Sequence, residues 1–257
     1  MNFIKSKIKM MVVLLRNIPS SVVALFVVSV IAMNILANKT LFMNDYIAID
    51  GGILISWLSF LSMDIVTKHF GPVASTRLTI FAILANLLTC FIFFIVSIIP
   101  SNSGEDYTAF NTIIGGTWFI LLSSTIAFTS SAVINNFTNY LIGKLFKNNP
   151  DGKLAFVSRT YISTLLGQFL DNLIFAILTF MIFAPIFWNG FHWTFIQCVT
   201  CSAIGAVLEL VLEVAFSPIG YLITKRWKRE NVGEQYFLYL ENIKKEKISE
   251  STNNGNK

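Results

Sequence analysis

The chain has 257 residues, of which 54% are apolar and only 13% charged, with 24 phenylalanines and a net charge of +5. A soluble domain carries about 25% charged residues, so a water-exposed globule of this composition would leave far too much apolar surface in solvent, and that class is excluded. A bundle of lipid-facing helices removes the conflict, because each span needs about 20 mostly apolar residues.

In chain order, residues 1–19 are basic, with Lys5, Lys7, Lys9 and Arg16. They read as an interfacial segment leading into an uncleaved first span, since no small-residue cleavage site follows and further apolar runs come after. Six segments qualify as spans, near 20–41, 48–67, 78–99, 113–142, 160–187 and 194–224. The fourth and sixth exceed what a core of roughly 30 Å requires, so they tilt, kink or protrude. Pro218 predicts a kink or break in the sixth. Polar turns separate the spans at 100–106 and 147–153. The connection at 188–193 is short and carries Trp188, Phe191 and Trp193 as interfacial aromatics. The tail from 225 to 257 is hydrophilic, with Tyr236, Tyr239, Leu240 and Ile243 at helical spacing. The expectation is an all-α polytopic membrane protein with a six-helix domain over 20–224.

Lys and Arg set the orientation. They cluster in the N-terminal segment, at Lys68 and Arg77, at Lys144, Lys147, Lys153 and Arg159, and at Lys225, Arg226, Lys228 and Arg229. Counting six spans, all four groups fall on one side, which places both termini in the cytoplasm; the expected location is a bacterial plasma or inner membrane. The opposite loops carry Asp45, Asp50, Glu105 and Asp106, with Lys39 their only Lys or Arg.

Polar side chains inside the apolar runs narrow the function. A charge near mid-bilayer costs roughly 2.5–3.5 kcal/mol on insertion scales, so such residues face the bundle interior and mark sites or pathways. The first span holds Asn34 and Asn38, four apart and so on one face. The second ends with Asp64, Thr67 and Lys68; the third has Arg77 at its entry and Asn86 further in. The fourth has Ser123, Ser124, Thr125, Asn135, Asn136 and Asn139. The fifth has Ser163, Gln168 and Asp171, and the sixth has Glu209 and Glu213 on one face. Asp64 and Lys68 are equally readable as an i,i+4 ion pair closing a helix end, Arg77 and Arg159 as positive-inside anchors, and the asparagines as interhelical glue. Asp171, Glu209 and Glu213 lie deep in their runs with no base nearby in sequence. With Gln168 and Asn86 they predict a polar pocket that binds a cation, accepts N–H donors or carries protons. Cys90, Cys198 and Cys201 all sit in apolar stretches, so the C-x-x-C at 198–201 reads as small apolar residues. Nothing calls for a metal or a cofactor: zinc lacks two further ligands, and nucleotide-binding and hydrolase motifs are missing.

Several short patterns recur in an order similar to that of the VUT family, the queuosine precursor transporters. They are Asn-Ile-Leu-Ala-Asn-Lys at 34–39, Asp-x-x-Thr-x-x-x-Gly at 64–71, Ala-Asn-Leu-Leu at 85–88, the series Arg159, Ser163, Gln168 and Asp171, and the stretch from Glu209 to Pro218. The resemblance covers roughly 25–225 and implies import of a 7-deazaguanine such as 7-cyano-7-deazaguanine or its aminomethyl relative. A guanine-like edge offers N–H donors that a carboxylate accepts in pairs, amides read the remaining edge, and Phe169, Phe60 or Trp57 can stack on the ring. Asp64, Asn86, Gln168, Asp171, Glu209, Glu213 and Asn34 are the expected substrate-binding residues. One departure stands out: Lys68 occupies the place where the family block carries Glu. The expected partners are the bilayer and a small planar nitrogenous base, with homo-oligomerisation left open and no nucleic acid. Two other readings compete: a substrate-binding subunit of an energy-coupling-factor vitamin importer, and an intramembrane enzyme, which needs two catalytic groups within about 3 Å of each other.

Overall fold

The computed structural model describes the backbone of residues 2–145 and 153–254, and within these the side chains of all but 2–5, 132–133, 135–145, 153–161, 163–164, 213, 217 and 246–254. The side chains of Asn135, Asn136, Asn139, Arg159, Ser163 and Glu213 therefore lie outside what is described.

The basic start forms helix α1, Asn2–Asn17, and Pro19 ends it, because proline has no N–H to donate and disfavours helix at the residue before it. Helix α2, Ser20–Leu36, leaves at 109° to α1. Its 17 residues are apolar apart from Ser20, Ser21, Ser29 and Asn34 and reach the lower end of the roughly 17–25 that span a bilayer. An antiparallel hairpin follows, β1 Thr40–Met43 with β2 Ala48–Asp50, pairing Thr40 with Asp50. Residues 40–41 and 48–50 are thus strand rather than the helix expected from their apolarity. The cause is local: Asp50 Oδ1 accepts the Gly52 N–H at 2.7 Å, closing the strand and opening α3, Ile53–Phe70.

Gly71, at φ 89°, turns the chain and Pro72 starts α4, Pro72–Ile98, so the third helix begins earlier than its apolar pattern suggests. Helix α5 runs Thr108–Leu145 and α6 runs Lys153–Ala176. The fifth span continues through a π-helical stretch, Ile177–Phe183, into α7, Ala184–Phe187. Pro185 cannot donate to the turn below it, and the wider π register carries the helix past that gap. Helix α8, Phe195–Arg229, starts on a capping box made by Thr194 and Gln197. It stays helical through Pro218, so the expected break is not there. Gly233, at φ 87°, turns into α9, Glu234–Asn254.

Among the described residues five helical segments are long and apolar enough to cross a membrane on their own, and α1 with α2 makes a sixth if the bent pair is one span. The protein is a polytopic all-α membrane protein. The outward face of α4 shows what a bilayer must cover: Leu84, Leu87, Leu88, Phe91, Ile92 and Phe94 are all exposed.

Two apolar clusters close the bundle at opposite ends of α3. One gathers Leu14, Phe26, Ile65, Phe70, Leu78, Trp227 and Tyr236 from α1, α2, α3, α4, α8 and α9. It carries the Lys/Arg-rich surfaces: Arg77 donates to the Tyr236 hydroxyl at 3.4 Å, Lys9 sits 5.7 Å over the Tyr239 ring, and His69 Nε2 lies 2.9 Å from the Val232 carbonyl. The other gathers Ala48, Ile53, Phe180, Trp193, Cys198 and Cys201. Trp193 stacks on Phe180 with ring centres 3.8 Å apart and is 1% exposed, so it is a core residue and not the interfacial aromatic its loop position suggested. The hairpin is tied to this end by Gln197 Nε2, which donates to the Asn44 carbonyl at 2.5 Å, and by Thr200 Oγ1, which donates to Tyr46 at 2.7 Å.

Candidate functional site

Between the two apolar ends the helices turn polar side chains inward. Helical spacing explains the set. On α3, Phe60, Met63, Asp64 and Thr67 recur at i, i+3, i+4 and i+7; on α5, Ser124, Phe128 and Ser131 do the same; on α6, Gln168, Asp171 and Asn172 share one face. Asn34 comes from α2, Thr79 and Asn86 from α4, and Glu209 from α8.

These residues enclose three adjoining chambers. The largest, about 380 Å³, lies towards the α3–α4 turn and is lined by Phe60, Asp64, Thr67, Ser75, Thr76, Phe128, Gln168 and Asp171 among others. A second, about 50 Å³, lies towards the hairpin and is lined by Asn34, Asp50, Ser56, Asp171, Asn172 and Glu209 among others. A third, about 90 Å³, is lined by Asn34, Phe60, Asn86, Thr125, Phe128 and Asp171 among others. Asp171 borders all three. Among the described residues no Lys, Arg or His lines any of them.

The fate of each expected residue follows. Asp171 Oδ1 lies 3.0 Å from the Ser131 hydroxyl, which is also 3.0 Å from the Phe128 carbonyl, so the single hydroxyl proton is shared between two acceptors. Asp64 reaches the large chamber but is paired with Lys68 at 2.6 Å, the helix-end ion pair that the sequence allowed. Gln168, Asn86 and Asn34 are buried, and Gln168 Oε1, Asn86 Nδ2 and Asn34 Nδ2 have no hydrogen-bond partner. Buried polar atoms are normally satisfied, and an orphan costs about 1–3 kcal/mol. These three border the chambers, whereas the unpartnered Asn38 Oδ1, His69 Nδ1, Thr179 Oγ1 and Trp193 Nε1 lie outside their lining. Glu209 borders the small chamber and not the large one, where Asn172 Nδ2 donates to its Oε2 at 3.4 Å.

Of the expected stacking rings, only Phe60 borders the chambers; Trp57 packs on Phe216 at 4.4 Å instead, and Phe169 is not in the lining. Phe128, which sequence reasoning passed over, is the second aromatic wall. Asp50 was also missed, read as an outer-loop charge. It is 7% exposed, with Cys201 Sγ 3.9 Å from its Oδ2, and it lies outside the spans; burial pushes its carboxyl up to about 6. The signal available for it was the Gly51-Gly52 pair that follows. Gly52 leaves room for the Asp50 cap and Gly51 for a close backbone approach, its Cβ position being 2.6 Å from the Leu36 carbonyl oxygen. Among the described residues no cluster of three or more His, Cys, Asp or Glu is arranged to hold a metal ion.

Residues 50–223 match a protein family described as "Putative vitamin uptake transporter". The chain belongs to this family. The matched region runs from Asp50 to the last turns of α8, so it takes in the hairpin end, every span from α3 onward and most of the chamber lining. No curated protein and no solved structure matches the transporter.

Proposed function

We propose that the chain imports a planar 7-deazaguanine, a queuosine precursor such as 7-cyano-7-deazaguanine or its aminomethyl relative, across a bacterial plasma membrane. The observation that carries this reading is the large chamber. It offers a carboxylate at Asp171 with no Lys, Arg or His beside it among the described lining residues, an unpartnered acceptor at Gln168 Oε1, and aromatic walls at Phe60 and Phe128. A guanine-type edge presents adjacent N–H donors, and a carboxylate accepting them in pairs forms one of the stronger neutral-ligand contacts available. A volume of about 380 Å³ lies within the range of small-molecule sites and suits a bicyclic base. Asp64, Gln168 and Asp171, with Asn86 in the adjoining chamber, are then the substrate-binding residues, with Lys68 neutralising Asp64 so that Asp171 is the carboxylate left for the cargo. The large chamber faces the Lys/Arg-rich end, which the charge rule assigns to the cytoplasm. This arrangement is the inward-facing state of an alternating-access cycle in which the hairpin end opens next.

The test is uptake of labelled 7-cyano-7-deazaguanine into cells that cannot synthesise it. Expression of the chain is expected to give uptake that unlabelled 7-deazaguanine competes away and that riboflavin or biotin does not. Uptake no greater than in the empty-vector control, or equal competition by an unrelated vitamin, refutes the assignment.

A further inference from the structure

The small chamber is unsuited to the cargo, since about 50 Å³ holds one or two waters and no base. Yet it draws acidic side chains from three separate elements: Asp50 from β2, Asp171 from α6 and Glu209 from α8. Glu209 lies within electrostatic reach of both other carboxyls. The titratable groups facing it are these two alone among the described residues lining the chamber; α2 contributes Asn34, α3 contributes Ser56 and α5 contributes Ser124, none of them charged. The Ser56 hydroxyl proton is shared between the Ile53 carbonyl, at 3.1 Å, and the Glu209 carboxylate, which Asn172 also reaches. Asp50 commits Oδ1 to capping α3 and faces only the Cys201 thiol with Oδ2. Among the described residues lining the chamber no Lys, Arg or His balances these three acids. A metal ion does not resolve this, because the acids are not arranged as a ligand set. The independent sign of a guest is Asn34, 2% exposed, bordering the chamber with an unpartnered N–H group.

We propose that this chamber is a proton site that couples transport to the proton gradient, with Glu209 as the carrier. It rests on the transporter reading and adds the driving force. In the outward-facing state a hydronium ion delivers a proton to the Glu209 carboxylate, leaving water and a neutral carboxylic acid. A water held by the Asn34 amide then bridges Glu209 to Asp171. When the bundle faces inward, the proton passes through that water to Asp171 and leaves to solvent in the large chamber, returning Glu209 to its anion. One proton enters and one leaves with each base carried. Asp171 belongs to both chambers, so its protonation and its grip on the cargo exclude each other, and that exclusion is what links the two fluxes.

The experiment uses the full-length chain in proteoliposomes with two transport readouts and one that needs no cargo. Infrared difference spectra between acid and alkaline buffer are expected to show a protonated-carboxyl C=O band that shifts in D₂O and is missing from Glu209→Gln. With 7-cyano-7-deazaguanine as probe, wild-type protein is expected to accumulate it several-fold when the interior is alkaline, and to exchange it without a gradient. Glu209→Gln is expected to keep exchange and lose gradient-driven accumulation. A pH-sensitive band unchanged in Glu209→Gln, or accumulation by the wild type that ignores the gradient, overturns the proton site. Exchange absent from the wild type while the infrared band behaves as expected overturns the choice of cargo and leaves the proton site standing.

Discussion

Asp171→Asn is the substitution that separates grip from architecture. The change is isosteric, and Asn keeps an oxygen to take the Ser131 hydroxyl that now lies 3.0 Å from Oδ1. Among the described residues no Lys, Arg or His borders the chambers, so none of them is orphaned when the charge goes. Fold stability should therefore change by under about 1 kcal/mol, and upward if anything, because Glu209 loses a like charge. The cargo pays instead. A hydrogen bond to a charged group is worth roughly 1.5–3 kcal/mol, and one Asn oxygen in place of two carboxylate oxygens forfeits most of that. Affinity for 7-cyano-7-deazaguanine is expected to fall roughly 10- to 150-fold. Equilibrium binding of the labelled base to detergent-purified protein measures it, with a thermal melt on the same sample as the folding control. A variant that melts like the wild type and binds within a factor of about two removes Asp171 from the binding reaction and with it the reason for the three-chamber arrangement.

Phe128→Ala removes one aromatic wall while Phe60 remains; binding is expected to weaken by about 0.5–1.5 kcal/mol, roughly 2- to 13-fold, in the same assay. Gly51→Ala places a Cβ 2.6 Å from the Leu36 backbone oxygen, which has no flexible end to swing away; a loss of about 1–3 kcal/mol is expected, seen as a lower melting temperature. Thr179→Val removes a buried hydroxyl that has no partner; because the shape is kept, stability should be unchanged or rise by about 1 kcal/mol, and a clear fall in melting temperature would contradict the assignment.

The spans were legible because apolar length and the Lys/Arg bias are both written in order along the chain, and the seating of α1, α9 and the α3–α4 turn at one end agrees with that bias. The hairpin was not legible: Leu41, Phe42, Ile47 and Ile49 are as apolar as any helix residue, and only the Asp50 cap and the Gly51-Gly52 approach decide for a strand. Trp193 was misplaced because loop position says nothing of what folds over it; the π-helical bend brings Phe180 beneath its ring. The site was half legible. Asp171, Gln168 and Asn86 announced themselves by polarity within apolar runs, whereas Asp50 was disguised by lying at the edge of one. Phe128 was hidden among 24 phenylalanines, since nothing local distinguishes a ring that lines a chamber from one that faces lipid.

Whether cargo sits in the large chamber can be read directly by protection of a thiol placed in its wall. Cys90, Cys198 and Cys201 are all buried, so the wild-type chain supplies little background. Thr67→Cys puts a thiol on the chamber lining beside the α3–α4 turn. Its alkylation by a water-soluble maleimide is expected to slow at least several-fold with 7-cyano-7-deazaguanine present, and to lose that protection when Asp171→Asn is added. Labelling at the same rate with and without the base, in a protein that still transports it, would place the cargo elsewhere and contradict the site.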